Sequence, residues 1–92
     1  MGMETVELAM AVEDEFGIAV PDELMQRVVT VGEFYDAILP LVRETGPPEL
    51  RARTDLEEYL WSRVKTLAAE PYGIRPEEVT RATRFVEDLG YG

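Results

Sequence analysis

The chain contains no cysteine and no histidine. The first absence excludes disulfides, thiolate metal sites and cysteine nucleophiles. The second removes the commonest general base and the commonest metal ligand. Serine occurs once, at Ser62, and basic residues are scarce where acidic ones are dense. Residues 1–50 hold only Arg27 and Arg43 against eleven Asp and Glu, whereas residues 51–92 hold seven bases against eight acids. The net charge of −10 is therefore carried almost wholly by the first half. Such a field repels nucleic acid and anionic membranes and favours a basic protein partner. No stretch is long and apolar enough to suggest a membrane span, and the acidic start carries no basic leader, so a cytoplasmic protein is expected. Without His, Cys or a convergent pair of carboxylates at recognisable spacing, no catalytic residue is assigned and catalysis is not expected. Glu13, Asp14 and Glu15 are adjacent on a predicted helix and point apart, so no dedicated metal site is expected either.

At 92 residues the chain reads as one domain, residues 1–92, and its periodicities are helical throughout. Thr5, Leu8, Ala9, Val12 and Phe16 fall in one stripe, and Gly17 follows as a helix stop. Pro21 opens a short helix over 22–28. Thr30-Val31-Gly32-Glu33 is a capping box ahead of an apolar face of Val31, Phe34, Tyr35 and Ile38, with Pro40 near its end. Residues 40–53 contain Gly46-Pro47-Pro48 and read as a linker. A second capping box is expected at Thr54-Asp55-Leu56-Glu57, starting a long helix with Leu56, Tyr59, Leu60, Val64 and Leu67 on its core side. Pro71 and Gly73 end that helix, and Pro76-Glu77-Glu78-Val79 form one further turn. No strand is expected. Phe16, Phe34, Tyr59 and Phe85 are assigned to the core, with Trp61 half exposed.

The two ends of the chain carry its most specific pattern. The C-terminus contains Phe85-Val86-Glu87-Asp88-Leu89-Gly90, and the N-terminus contains Glu4-Thr5-Val6-Glu7-Leu8. Joined tail to head, they resemble the centre of an acyl carrier protein, F-x-x-D-L-G-x-D-S-L-D-x-V-E-L. The segment Gly73-Ile74 through Val79, the run Phe16, Ile18, Pro21, Asp22, and Thr30-Val31 with the helix behind it match the same family in register. The resemblance is to a circular permutation, covering residues 2–39 and about 60–92. It implies an all-α fold, a four-helix bundle with family helices II, III and IV in 1–39 and family helix I with its long loop in 54–92. The linker 40–53 would bridge the family's ordinary termini; extended, it could reach about 46 Å, more than a small bundle requires. A monomer or a domain-swapped dimer would use the same contacts. Phe85, Val86 and Leu89 are expected beside Leu8, Val12 and Phe16, with the two chain ends close together.

The permutation falls at the D-S-L motif, where the family attaches phosphopantetheine through serine. Gly92, Gly2 and Met3 take the aspartate, serine and leucine positions. Attachment needs a hydroxyl, and Gly2 has none; Ser62, Thr5 and Thr83 lie elsewhere in the family layout. The reading is thus a carrier-like module with no cofactor. A true carrier of fatty-acid or polyketide type metabolism, its site altered, split or completed by another chain, is the alternative.

One face of the first helix remains to be accounted for. With Thr5 at 0°, Val6, Met10 and Met3 fall near 100°, 140° and 160°, and Glu13, Asp14 and Glu7 near 80°, 180° and 200°, at about 100° per residue. In acyl carrier proteins the matching face docks on basic patches of acyl-handling enzymes. Met3, Glu4, Val6, Glu7, Met10, Glu13 and Asp14 are accordingly the candidate partner-binding residues.

Overall fold

A computed structural model of the chain describes residues 5–91, and they are all-helical with no β-strand among them. Helix α1 spans Thr5–Phe16, α2 Asp22–Arg27, α3 Val31–Thr45, α4 Pro48–Arg51 and α5 Leu56–Ala69; short 3₁₀ turns follow at Glu70–Tyr72 and Pro76–Glu78. Helix α5 lies against α1, α3 and both 3₁₀ turns, while α2 packs on α1 and α4 on α3. The expectation of an all-α chain therefore holds.

Each long helix owes its place to one apolar stripe. Leu8, Ala9, Val12 and Phe16 of α1 are buried, and Gly17 then reverses the chain at φ +65° with its N–H bonded to Glu13 O at 2.9 Å. Ile18 and Val20 follow as buried residues on either side of exposed Ala19. Leu56, Leu60, Val64, Ala68 and Ala69 are the buried side of α5. Tyr59 and Trp61 are half-buried, so Tyr59 belongs to the margin of the core rather than its centre. Arg53 stacks over the Tyr59 ring at 3.9 Å.

Helix α3 starts as its capping box requires. Glu33 N–H donates to Thr30 Oγ1 at 3.1 Å, and Glu33 Oε1 accepts from the amides of Thr30 at 3.1 Å and Val29 at 2.8 Å. Those backbone donors, Val29 first, hold the Glu33 carboxyl below the ordinary glutamate range. The helix then runs through Pro40 to Thr45, taking in the first six residues of the expected linker. Proline removes one helical donor, but Pro40 faces solvent, and continuing the helix brings Val42 into full burial on the stripe of Phe34, Tyr35 and Ile38. Pro48 then opens the one-turn helix α4, so residues 46–55 rather than 40–53 form the connection.

The second capping box is absent. Asp55 precedes α5 without a side-chain cap, and its carboxylate is bonded to Arg53 at 3.0 and 3.1 Å. Glu57 instead receives Arg43 at 2.6 Å. The helix begins one residue later than the box requires: Asp55 is its N-cap, so Glu57 stands at the second helical position rather than the third and cannot reach back to Thr54.

The segment after α5 closes the fold. Val31 N–H donates to Thr83 O at 2.9 Å, Gly32 N–H to Arg81 O at 3.0 Å, and Phe85 N–H to Val29 O at 3.0 Å, leaving an isolated antiparallel bridge of Thr30 with Arg84. Phe85 and Leu89 are buried as expected, but Val86 is 64% exposed, contrary to expectation. Residues 85–89 coil through turns in which positions four apart share a side, so Val86 points away from Phe85 and Leu89. The third inward position is Tyr91, whose ring lies 5.1 Å from Phe85 and 4.6 Å from Tyr72 and whose hydroxyl donates to Ala68 O at 2.9 Å. Burial raises the phenol pKa, and nearby Tyr72 adds to the shift.

A Cβ at Gly32 would meet Arg81 O at 2.7 Å, closer than such atoms approach. Gly32→Ala should therefore destabilise the protein by about 1–3 kcal/mol, although alanine favours a helix over glycine. Urea unfolding followed by circular dichroism checks the sign, and an increase in stability would contradict the close approach.

Candidate protein-docking face

Helix α1 has two unlike sides. Its core stripe is buried, whereas Val6 is 49% and Met10 58% exposed on the other side. Glu7 and Asp14 are exposed on the same helix. Val6, Glu7, Met10 and Asp14 thus stand at the surface where the periodicity placed them. Met3 and Glu4, together with Gly2 and Gly92 of the motif, lie outside the described residues.

Glu13 behaves differently. It is half-buried, and its Oε2 accepts the Val20 N–H at 2.7 Å, fastening the turn between α1 and α2. Glu15 is bound bidentately by Arg63 of α5, one of the two bonds being Arg63 Nη2 to Glu15 Oε1 at 2.9 Å. Two acids that composition would count toward a docking field are therefore committed within the fold. The other two carboxylates of α1, Glu7 and Asp14, are exposed.

The sequence reading missed the second wall of this face. Helix α2 buries none of its residues completely; Leu24 and Met25 are half-covered, and Asp22, Glu23 and Gln26 are exposed. Between α1 and α2 lies an open recess of about 290 Å³ lined by Thr5, Val6, Asp22, Met25 and Gln26. The available signal was the adjacent pair Leu24-Met25, which a helix turns about 100° apart, so both cannot face the core squarely.

Two other recesses have different chemistry. One of about 560 Å³ gathers Arg43, Arg51 and Arg53 beside the start of α5, but Glu57 and Asp55 already neutralise Arg43 and Arg53. The other, about 210 Å³, lies over Tyr35 and Trp61, whose rings meet edge-on at 5.4 Å. Arg81 and Lys65 lie over those two rings, at 5.9 and 5.4 Å. Among the described residues no group of three or more His, Cys, Asp or Glu is placed to hold a metal ion, and no helix is long and apolar enough to cross a membrane.

No protein-family model and no solved structure matches the chain.

The division of labour among the acids is testable. Glu13→Ala should cost about 1 kcal/mol, because the Val20 amide loses its acceptor. Asp14→Ala should change stability by less than about 0.5 kcal/mol. Thermal unfolding of the two variants side by side measures the difference, and equal effects would remove Glu13 from the turn.

Proposed function

We propose that this chain is an acyl-carrier-like interaction module without phosphopantetheine that docks through α1 on a basic protein, an acyl-handling enzyme being the expected class of partner. The observation that carries the reading is the outward side of α1, where the exposed side chains Val6 and Met10 lie among exposed acids. Apolar contact supplies affinity that survives salt, while the rim acids steer a basic surface toward it.

The order of elements supports the permuted layout. Three helices come first, a connector follows, and a long helix then leads into an irregular segment that reaches the core through Phe85 and Leu89. In that layout α1, α2 and α3 stand for the family's second to fourth helices and α5 for its first, giving a four-helix bundle. Gly2 falls at the serine position and provides no oxygen to attack the coenzyme A pyrophosphate. The proposed role is consequently recognition without catalysis or acyl transfer.

Two experiments test this. Incubation with a phosphopantetheinyl transferase and coenzyme A should leave the intact mass unchanged. A mass increase mapped to any residue would instead make the chain a true carrier. Against a basic acyl-handling partner, Glu7→Lys with Asp14→Lys should weaken binding by roughly two- to tenfold, an effect that fades as salt rises. Met10→Ala should weaken it by about 1 kcal/mol at any ionic strength. Unchanged affinity in all variants would show that α1 is ordinary surface.

A further inference from the structure

We infer that the recess between α1 and α2 is a socket for one aliphatic side chain, leucine or methionine in size, presented by a partner segment between Lys or Arg residues. The inference rests on the docking reading and narrows it to a particular place and occupant. Its first support is geometric. Thr5 and Val6 form one wall of the recess, and Asp22, Met25 and Gln26 the other, in an open volume of about 290 Å³. The exposed side chain of Val6 and the half-covered one of Met25, which packs on the core with its other side, form the apolar part of a lining that also holds Thr5, Asp22 and Gln26.

The second support is α2 itself. A helix ordinarily hides one stripe, yet no residue of α2 is fully buried, and Leu24 and Met25 are covered only in part. Met25 packs against the core with part of its side chain, and an incoming aliphatic group would bury the rest, methionine adapting readily to the shape of its neighbour.

Charge decides the surroundings of that group. Asp22 lines the recess, and Glu23, Glu7 and Asp14 are exposed on the same two helices, where Arg27 is the sole base. A segment with acidic flanks would be repelled, whereas Lys or Arg on either side of the aliphatic residue would be drawn in.

The test uses the whole chain with methyl-labelled methionine and a synthetic amphipathic helix of lysine and alanine bearing one central leucine. Titration should move the Met25 and Met10 methyl resonances. A control peptide with serine in place of leucine should bind about tenfold more weakly, the scale of one buried aliphatic side chain. Gln26→Trp, which fills the recess from its edge, should reduce leucine-peptide binding to the level of the serine control while leaving helicity unchanged. Equal binding of the two peptides, or an unmoved Met25 methyl, would overturn the socket. If Glu7→Lys with Asp14→Lys weakens binding but Gln26→Trp does not, the docking face stands and the socket fails. If neither changes it, both fail. A Met25 shift that grows with protein concentration in the absence of peptide would assign the recess to a second copy of the chain and also overturn the inference.

Discussion

The start of α3 is the joint on which the rest of the structure depends. A helix leaves its first amides without partners inside itself, and burying them unpaired costs about 1–3 kcal/mol each. Here Val31 and Gly32 donate to Thr83 and Arg81, some fifty residues away in sequence, and Thr30 Oγ1 takes the Glu33 amide. The irregular segment that supplies those carbonyls has little regular structure to hold itself, so it gains order from the helix it caps. Phe85 enters the core at this point and meets Phe34 edge-on at 6.0 Å. Backbone pairing and aromatic packing thus fix the same register, and Gly32 is the residue that lets the two backbones come close enough.

Around this joint, α5 serves as the common wall, and inter-element ion pairs add little to its energetics. Arg63 with Glu15, Arg43 with Glu57 and Arg81 with Asp36 each tie separate parts of the chain, but all lie in or near solvent, where such pairs contribute about 0–1 kcal/mol. Arg43 and Arg53 bind Glu57 and Asp55 beside the start of α5, a helix that begins without a side-chain cap. Burial of Leu56, Leu60 and Val64 holds the first turns in place of the missing cap.

The features legible in the sequence were those set locally. The core stripes of α1 and α3, the capping box at Thr30 and the left-handed stop at Gly17 each follow from spacing or from one residue's backbone freedom. Elements decided by distant partners were harder to read. The box at Thr54 has the right letters, but the helix starts one residue later, at Leu56, which puts Glu57 out of register with Thr54. Pro40 is a helix breaker by rule, yet the burial of Val42 offsets the lost bond. Val86 sits inside the strongest motif of the chain and still faces solvent, because a motif gives identity without giving direction. Tyr91 occupied a spacer position in the motif and proves to be a buried plug. Of the candidate face, the outward direction of Val6, Glu7, Met10 and Asp14 was readable from helical geometry alone, whereas the wall contributed by α2 depends on how a six-residue helix settles against its neighbour.

Those two walls differ in the constraint placed on them. The inward positions of α1 cannot vary without opening the core, since Leu8 and Val12 are fully buried and Phe16 nearly so. The outward positions carry no such load, and α2 carries almost none, because none of its side chains is fully buried. Exposed apolar residues confer no stability, and their number on small soluble chains is limited by the risk of self-association. Here the strong negative charge of the first half offsets that risk by mutual repulsion, and it admits a basic surface that can lower its own charge by approaching. On the proposed docking role, the same carboxylates disfavour self-association and favour the class of surface that would cover Val6 and Met10. Neutralising Asp14 alone would leave the core stripe of α1 intact and, on the proposed docking role, weaken that selectivity, whereas Glu13 and Glu15 are also tied into the fold.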